Sequence, residues 1–213
     1  MKKIGCLLLA MVMLFPYNAK AETILAPSAV SVIVMEPTTG EIIYERNSHE
    51  KLHPASMTKI MTMLLTIEAI EKNVISWNDM VTVSNNASSM GGSQILLETG
   101  EQMSVQDLFK GVAVASGNDA AVALAEKIAG TQDNFVNMMN ERAKKLGLTD
   151  TNFKNCHGLD DTNHYSSAYD MSVMARELLK HEKVLEFTSI YEDYLRKDTD
   201  RAFWLVNTNK VVC

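Results

Sequence analysis

Ser56-Met57-Thr58-Lys59 sets a hydroxyl three residues before an amine. On a helix, positions i and i+3 share a face, so the amine can take the hydroxyl proton while the oxygen attacks a carbonyl. That chemistry needs an uncharged lysine. Ile60 and Met63 supply apolar surroundings, which disfavour the ammonium form and draw the pKa toward that of a general base. Ser56 also falls at the start of a predicted helix, where free backbone N–H groups favour developing negative charge. Spacing alone is served as well by an N-cap serine followed by a lysine whose stem lies along apolar surface; the setting of Lys59 favours the chemical reading. A second match, Ser48-His49-Glu50-Lys51, lies in a polar stretch with nothing to depress its lysine and reads as chance.

Ser116-Gly117-Asn118 is the second candidate. In an extended turn the Ser116 hydroxyl and the Asn118 amide would project to one side, into a cleft. Ser76-Trp77-Asn78 and Ser84-Asn85-Asn86 share the pattern and read as turns or caps. Ser116 differs because it interrupts two apolar helices.

The elements that must position these groups follow from periodicity. β-branched residues on either side of Pro37-Thr38-Thr39-Gly40 predict a hairpin over 28–46. A helix over about 56–71 is apolar on nearly all sides, which marks it as the buried centre of a domain, with Thr58, Thr62 and Thr66 as one polar stripe. A strand or loop follows at 80–83. Ser104 with Asp107 caps a helix to about Ala115, a second runs over about 119–129, and Thr131 caps a third that ends near Leu146. Ser167 with Asp170 caps a fourth, to about His181, and 203–206 reads as a strand. Strands, then helices, then strands indicate an α+β fold. His157 reads as a loop hydrogen-bonder, His164 as structural, and Ser93, after Gly91-Gly92, fits a solvated turn and a border of the cleft equally well.

Composition narrows the function. Of 213 residues, 46% are hydrophobic and 22% charged, with 10 Gly and 4 Pro, which excludes disordered, collagen-like and disulfide-scaffold classes. Residues 1–21 read as a secretory signal: Lys2 and Lys3, an apolar run too short to anchor in a bilayer, then Ala19-Lys20-Ala21. Past that segment 17 basic residues face 26 acidic ones, a net charge of −9, which gives no electrostatic drive toward nucleic acid or an anionic membrane face. Cys156 and Cys213 then remain, and both read as thiols without a framework role. Of the five histidines only His49 and His53 stand four apart, and they lie in a polar stretch ahead of the first predicted helix rather than on one helix face, so no metal site is expected.

Taken together, in this order and about sixty residues apart, the two motifs resemble those of the active-site serine penicillin-recognising enzymes, whose set is S-x-x-K, S-D-N and K-T-G. S-G-N in place of S-D-N makes the chain similar to the low-molecular-mass penicillin-binding proteins that are D-alanyl-D-alanine carboxypeptidases, peptidase family S11. The resemblance runs from about Ala29 onward and includes Pro54-Ala55-Ser56-Met57-Thr58-Lys59, Ala115-Ser116-Gly117-Asn118-Asp119-Ala120, His157-Gly158-Leu159-Asp160 and His164-Tyr165-Ser166-Ser167-Ala168-Tyr169-Asp170. It implies a penicillin-binding-protein/β-lactamase-like transpeptidase fold, with a helical cluster packed on an antiparallel sheet. It further implies Ser56 as nucleophile, Lys59 as its base, Ser116 as a proton shuttle and Asn118 as a holder of the substrate amide. Its substrate would be a peptidoglycan stem peptide ending in D-Ala-D-Ala, with β-lactam antibiotics as mimics, no metal or organic cofactor, and a place outside the cytoplasmic membrane.

One part of the family pattern is missing: no K-T-G, nor its histidine and serine variants, occurs in the sequence. In relatives that strand helps bind the substrate carboxylate and supplies an oxyanion donor. The expectation is therefore a catalytic domain over 22–213 that is C-terminally incomplete, lacking the later sheet strands and any membrane anchor. Its hairpin 28–46 would be without partners and its central helix poorly covered. Two other readings stay open: a catalytically weak remnant that only binds wall peptide or partners, and a β-lactamase-like hydrolase.

Overall fold

The computed structural model describes residues 24–212. The segment read as a signal, with Cys6, and the terminal Cys213 lie outside the described residues. A hairpin opens the fold, β1 (Val32–Met35) and β2 (Ile42–Arg46), antiparallel with Val34 opposite Tyr44. A 3-10 turn, Ala55–Thr58, runs directly into α1 (Lys59–Glu71). Next come β3 (Met80–Thr82), a short α2 (Asn85–Ser88) and β4 (Gln102–Ser104), which pairs antiparallel with β3. Three helices follow, α3 (Val105–Ala115), α4 (Asn118–Ala129) and α5 (Gln132–Lys145). After a long loop, α6 (Ala168–Leu178) and α7 (Lys183–Thr188) lead to a last antiparallel hairpin, β5 (Glu192–Leu195) and β6 (Phe203–Val206).

Capping fixes several of these boundaries. The hydroxyls of Ser104, Thr131 and Ser167 each accept the N–H three residues on, as the sequence reading expects. Ser84, one of the S-x-N matches read as a cap or turn, caps α2 in the same way. The fourth predicted helix stops at Leu178 rather than His181, and α7 was not expected from the sequence. β4 was not expected either.

The poor cover anticipated for the central helix is not what the structure has. α1 packs against α3, α4, α5 and α6, and Met61 and Leu64 are fully buried. The antiparallel strands form three separate two-stranded ladders among the described residues; β1 packs on α6, and both β5 and β6 pack on α3. Trp77, Phe109 and Phe187 make mutual ring contacts with centroids 5.0–5.3 Å apart, joining α3 to α7.

The threonine stripe of α1 is fully buried, and each hydroxyl has a partner. Thr66 donates to the Thr62 carbonyl at 2.8 Å, Thr62 to the Cys156 carbonyl at 2.6 Å, and Thr58 meets His164 Nε2 at 2.8 Å. Two of these bonds seat the 154–164 loop on the start of α1. Gly158 completes the contact: its φ is +89°, and a Cβ there would lie 1.9 Å from the Ala55 carbonyl oxygen. Replacing it with alanine must move either the loop or the turn that carries Ser56. Gly147, with φ +75° and open space around its Cβ position, provides the comparison. Gly147→Ala should cost only the left-handed backbone strain, about 1 kcal/mol. Gly158→Ala should cost that strain plus about 1–3 kcal/mol of overpacking in urea denaturation. Equal losses at the two positions would contradict this packing.

Candidate active site

Ser56 sits exposed in the 3-10 turn, directly after Ala55, whose φ of +48° is a left-handed conformation that a residue with a Cβ adopts only when its surroundings enforce it. The serine is thus part of a short, fixed turn and not a free N-cap; its side chain caps no helix. Lys59 opens α1 and is only 3% exposed. Its Nζ lies 3.2 Å from Ser56 Oγ and donates to the His157 carbonyl at 2.6 Å.

Burial lowers the Lys59 pKa from 10.5 to about 8. The Asp119 carboxylate opposes the shift in part. Cys156, close by, is itself pushed up to about 12 by burial, so it is a neutral thiol in that range. Once neutral, the amine keeps an N–H for the His157 carbonyl and turns its lone pair toward the Ser56 hydroxyl. It can then remove the serine proton as a bond to a carbonyl carbon forms.

The loop that supplies this carbonyl is built by Asn155. Asn155 Oδ1 accepts the N–H groups of His157 at 3.3 Å and Gly158 at 2.7 Å, and Asn155 Nδ2 donates to the Leu159 carbonyl at 2.8 Å. The His157 imidazole is buried and accepts the Leu159 N–H at Nδ1; burial, with Lys59 nearby, lowers its pKa to about 4. Its side chain is therefore a neutral loop hydrogen-bonder, while its carbonyl faces the site. His164 accepts the Lys154 N–H at Nδ1, so Nε2 carries the proton and donates to Thr58 Oγ1. That agrees with a structural role.

Ser116 and Asn118 lie at the junction of α3 and α4, the two helices that both pack against α1. The extended turn expected at 116–118 is not formed. Ser116 is the left-handed C-cap of α3, with φ 58° and ψ 34°, and Asn118 is already the first residue of α4. The Ser116 hydroxyl makes no hydrogen bond to Ser56 or Lys59, whose side-chain partners are each other and the His157 carbonyl. Asn118 is 3% exposed, with its N–H on the Ser93 carbonyl and Nδ2 on the Gly91 carbonyl, both at 2.7 Å. Its Oδ1 is buried without a hydrogen-bond donor.

Sequence reasoning missed Asn155, Asp119 and Thr62 as parts of this assembly. Asn155-Cys156-His157-Gly158 did hold a signal for the first, an Asx-type turn ending in glycine. Among the described residues, no group of three or more His, Cys, Asp or Glu side chains is gathered as metal ligands, and no helix is long and apolar enough to cross a membrane.

A family profile described as Peptidase_S11, D-alanyl-D-alanine carboxypeptidase, matches residues 18–213. The chain is 55% identical over 195 residues to D-alanyl-D-alanine carboxypeptidase DacF of Bacillus subtilis, covering 92% of this chain and 50% of that protein. It is 40% identical over 206 residues to DacC of Escherichia coli, covering 90% and 51%. The chain thus spans about half the length of these curated relatives. Among solved structures it is similar to penicillin binding protein 6B from Escherichia coli, with a TM-score of 0.82 and 37% identity over 92% of this chain and 62% of that one. It is also similar to penicillin-binding protein D2 from Listeria monocytogenes in its ampicillin-bound form, with a TM-score of 0.76 and 30% identity over 90% and 76%. With nearly its whole length matched and the fold shared, the chain belongs to the D-alanyl-D-alanine carboxypeptidases of peptidase family S11.

Proposed function

We propose that this chain is an exported serine-type D-Ala-D-Ala carboxypeptidase that removes the terminal D-Ala from peptidoglycan stem peptides. The observation that carries the proposal is the buried Lys59 amine 3.2 Å from Ser56 Oγ, with its pKa lowered to about 8. Lys59 takes the Ser56 proton as the oxygen bonds to the carbonyl carbon of the penultimate D-Ala. Collapse of the tetrahedral adduct breaks the peptide bond, and the departing amine takes a proton through Lys59 or Ser116 to leave as D-Ala. Water then adds to the ester with the same groups acting as base, releasing the shortened peptide and restoring the serine.

Asn118 has a matching part. Its buried Oδ1 lacks a donor, and an amide N–H of the substrate would supply one. A β-lactam carries an amide and a strained acyl group in similar relation, so the same groups would acylate Ser56 with penicillin. The relative whose solved form holds ampicillin supports that extension. Residues 1–21 would direct export, which agrees with a substrate in the cell envelope.

The absence of K-T-G from the 213 residues favours a second, weaker reading for them taken alone: acylation without efficient turnover. Losing one oxyanion donor lowers turnover about 10²–10³-fold.

Incubation with a fluorescent penicillin should label the chain and leave Ser56→Ala unlabelled, and a peptide ending in D-Ala-D-Ala should release D-Ala. Labelling of Ser56→Ala would place the nucleophile elsewhere, rapid penicillin hydrolysis would favour a β-lactamase, and labelling without D-Ala release would favour the weaker reading. Lys59→Ala should slow acylation about 10²–10⁴-fold, the range for loss of a general base.

The pH dependence has a definite sign. Because the neutral amine is the active form and its pKa is about 8, acylation should rise with pH below that value and level off above it. A rate constant that stays flat from pH 6 to 9 would remove Lys59 from the base role.

A further inference from the structure

Residues 91–98 border Asn118, yet they belong to no helix or ladder. Two charged side chains from distant parts of the chain hold their backbone instead. Asp119 accepts the Ile95 N–H at 3.1 Å on each carboxylate oxygen and the Leu97 N–H at 3.0 Å. From the other side Arg196, just past β5, donates through Nη2 to the carbonyls of Ile95 at 2.8 Å and Leu96 at 3.3 Å. Its Nε is paired with Glu101 at 2.7 Å, and both side chains are only 11% exposed. Arg201 adds a bond to the Leu96 carbonyl at 3.1 Å and a contact with Glu101 at 3.3 Å.

The N–H groups of this segment are thus gripped by a carboxylate and its carbonyls by a guanidinium. Leu96 and Arg196 both have left-handed backbones, φ 57° and 54°, which persist only where neighbours over-determine them. The segment in turn contacts the candidate site. The Gly91 carbonyl holds Asn118 Nδ2, the Ser93 carbonyl holds the Asn118 N–H, and a Cβ on Gly92 would lie 2.8 Å from Asn118 Nδ2. Where residues 91–97 sit therefore decides which way the orphan Oδ1 of Asn118 faces.

We propose that Arg196 is a positioning residue: through residues 91–97 it fixes the Asn118 amide in the orientation that receives the substrate. The inference rests on the function proposed above. A guanidinium is needed because one planar group reaches Glu101 and two carbonyls at once, and a lysine ammonium on a flexible stem cannot span them.

The test uses the full chain with Arg196→Gln and Arg196→Lys, and with Arg201→Gln as comparison. Acylation of Ser56 by a fluorescent penicillin should fall about 10–100-fold in Arg196→Gln, the scale of a small misplacement of a substrate-holding group. The fall should be smaller in Arg196→Lys and smaller again in Arg201→Gln. The midpoint of the acylation pH profile should stay near 8, because Arg196 does not touch Lys59. Amide hydrogen exchange at Ile95, Leu97 and Asn118 should accelerate in Arg196→Gln. Acylation at the unmodified rate in a folded Arg196→Gln chain, or unchanged exchange at these amides, would overturn the proposal. If Arg196→Gln does not fold, Arg196→Lys decides on the same two readouts. If the unmodified chain is not acylated at all, the proposed function fails, and exchange alone decides whether Arg196 holds the segment.

Discussion

A lysine amine kept out of water at the head of an apolar helix is the constraint around which this fold is arranged. Lys59 is 3% exposed, and among the described residues its amine has the Ser56 hydroxyl and the His157 carbonyl as hydrogen-bond partners. Moving its pKa from 10.5 to about 8 corresponds to about 3 kcal/mol. Below pH 8 both folded and unfolded chains hold the proton and the folded state bears that cost in full. Between about 8 and 10.5 only the unfolded chain stays protonated, so the cost fades as pH rises. The rest of the molecule has to supply this stability, and the enclosure of α1 by four helices is where it does so.

Such a site needs walls, and these walls are loops. Backbone without a ladder partner must satisfy its N–H and C=O groups by other means. Here buried polar side chains do it: Asn155 folds the 155–159 turn, His164 and Thr62 tie that loop to α1, and Asp119 and Arg196 hold 91–97 between them. Both loops are pinned across long stretches of sequence: Thr62 and Thr58 reach the 154–164 loop from about a hundred residues earlier, and Arg196 reaches 91–97 from about a hundred residues later.

What the sequence makes legible is local. Ser104, Thr131 and Ser167 mark helix starts because a hydroxyl answers an N–H three residues on, a relation contained within one turn. The apolar row beyond Lys59 shows its burial for the same reason, as the periodicity is written along a single helix. β4 escapes notice because Gln102-Met103-Ser104 is three residues long and takes its identity from β3, some twenty residues earlier. The corner at 116–118 misleads for a related reason. Whether Ser116 is extended or left-handed is set by how α3 and α4 pack, and Gly117 fits there because a Cβ would meet Asp119 Oδ1 at 3.1 Å and Ile95 Cγ2 at 3.3 Å. The grip of Asp119 and Arg196 on 91–97 joins parts of the chain that no local window contains.

Membership in the S11 family says what this fold is used for in proteins about twice as long, and the geometry around Lys59 says what these residues can do by themselves. The most direct check is an NMR titration of Lys59, following its Cε and Nζ resonances in the folded chain. A midpoint near 8 is the expected result. A midpoint near 10.5, the value of a lysine in open water, would mean that the amine is charged beside Ser56 and is not its base.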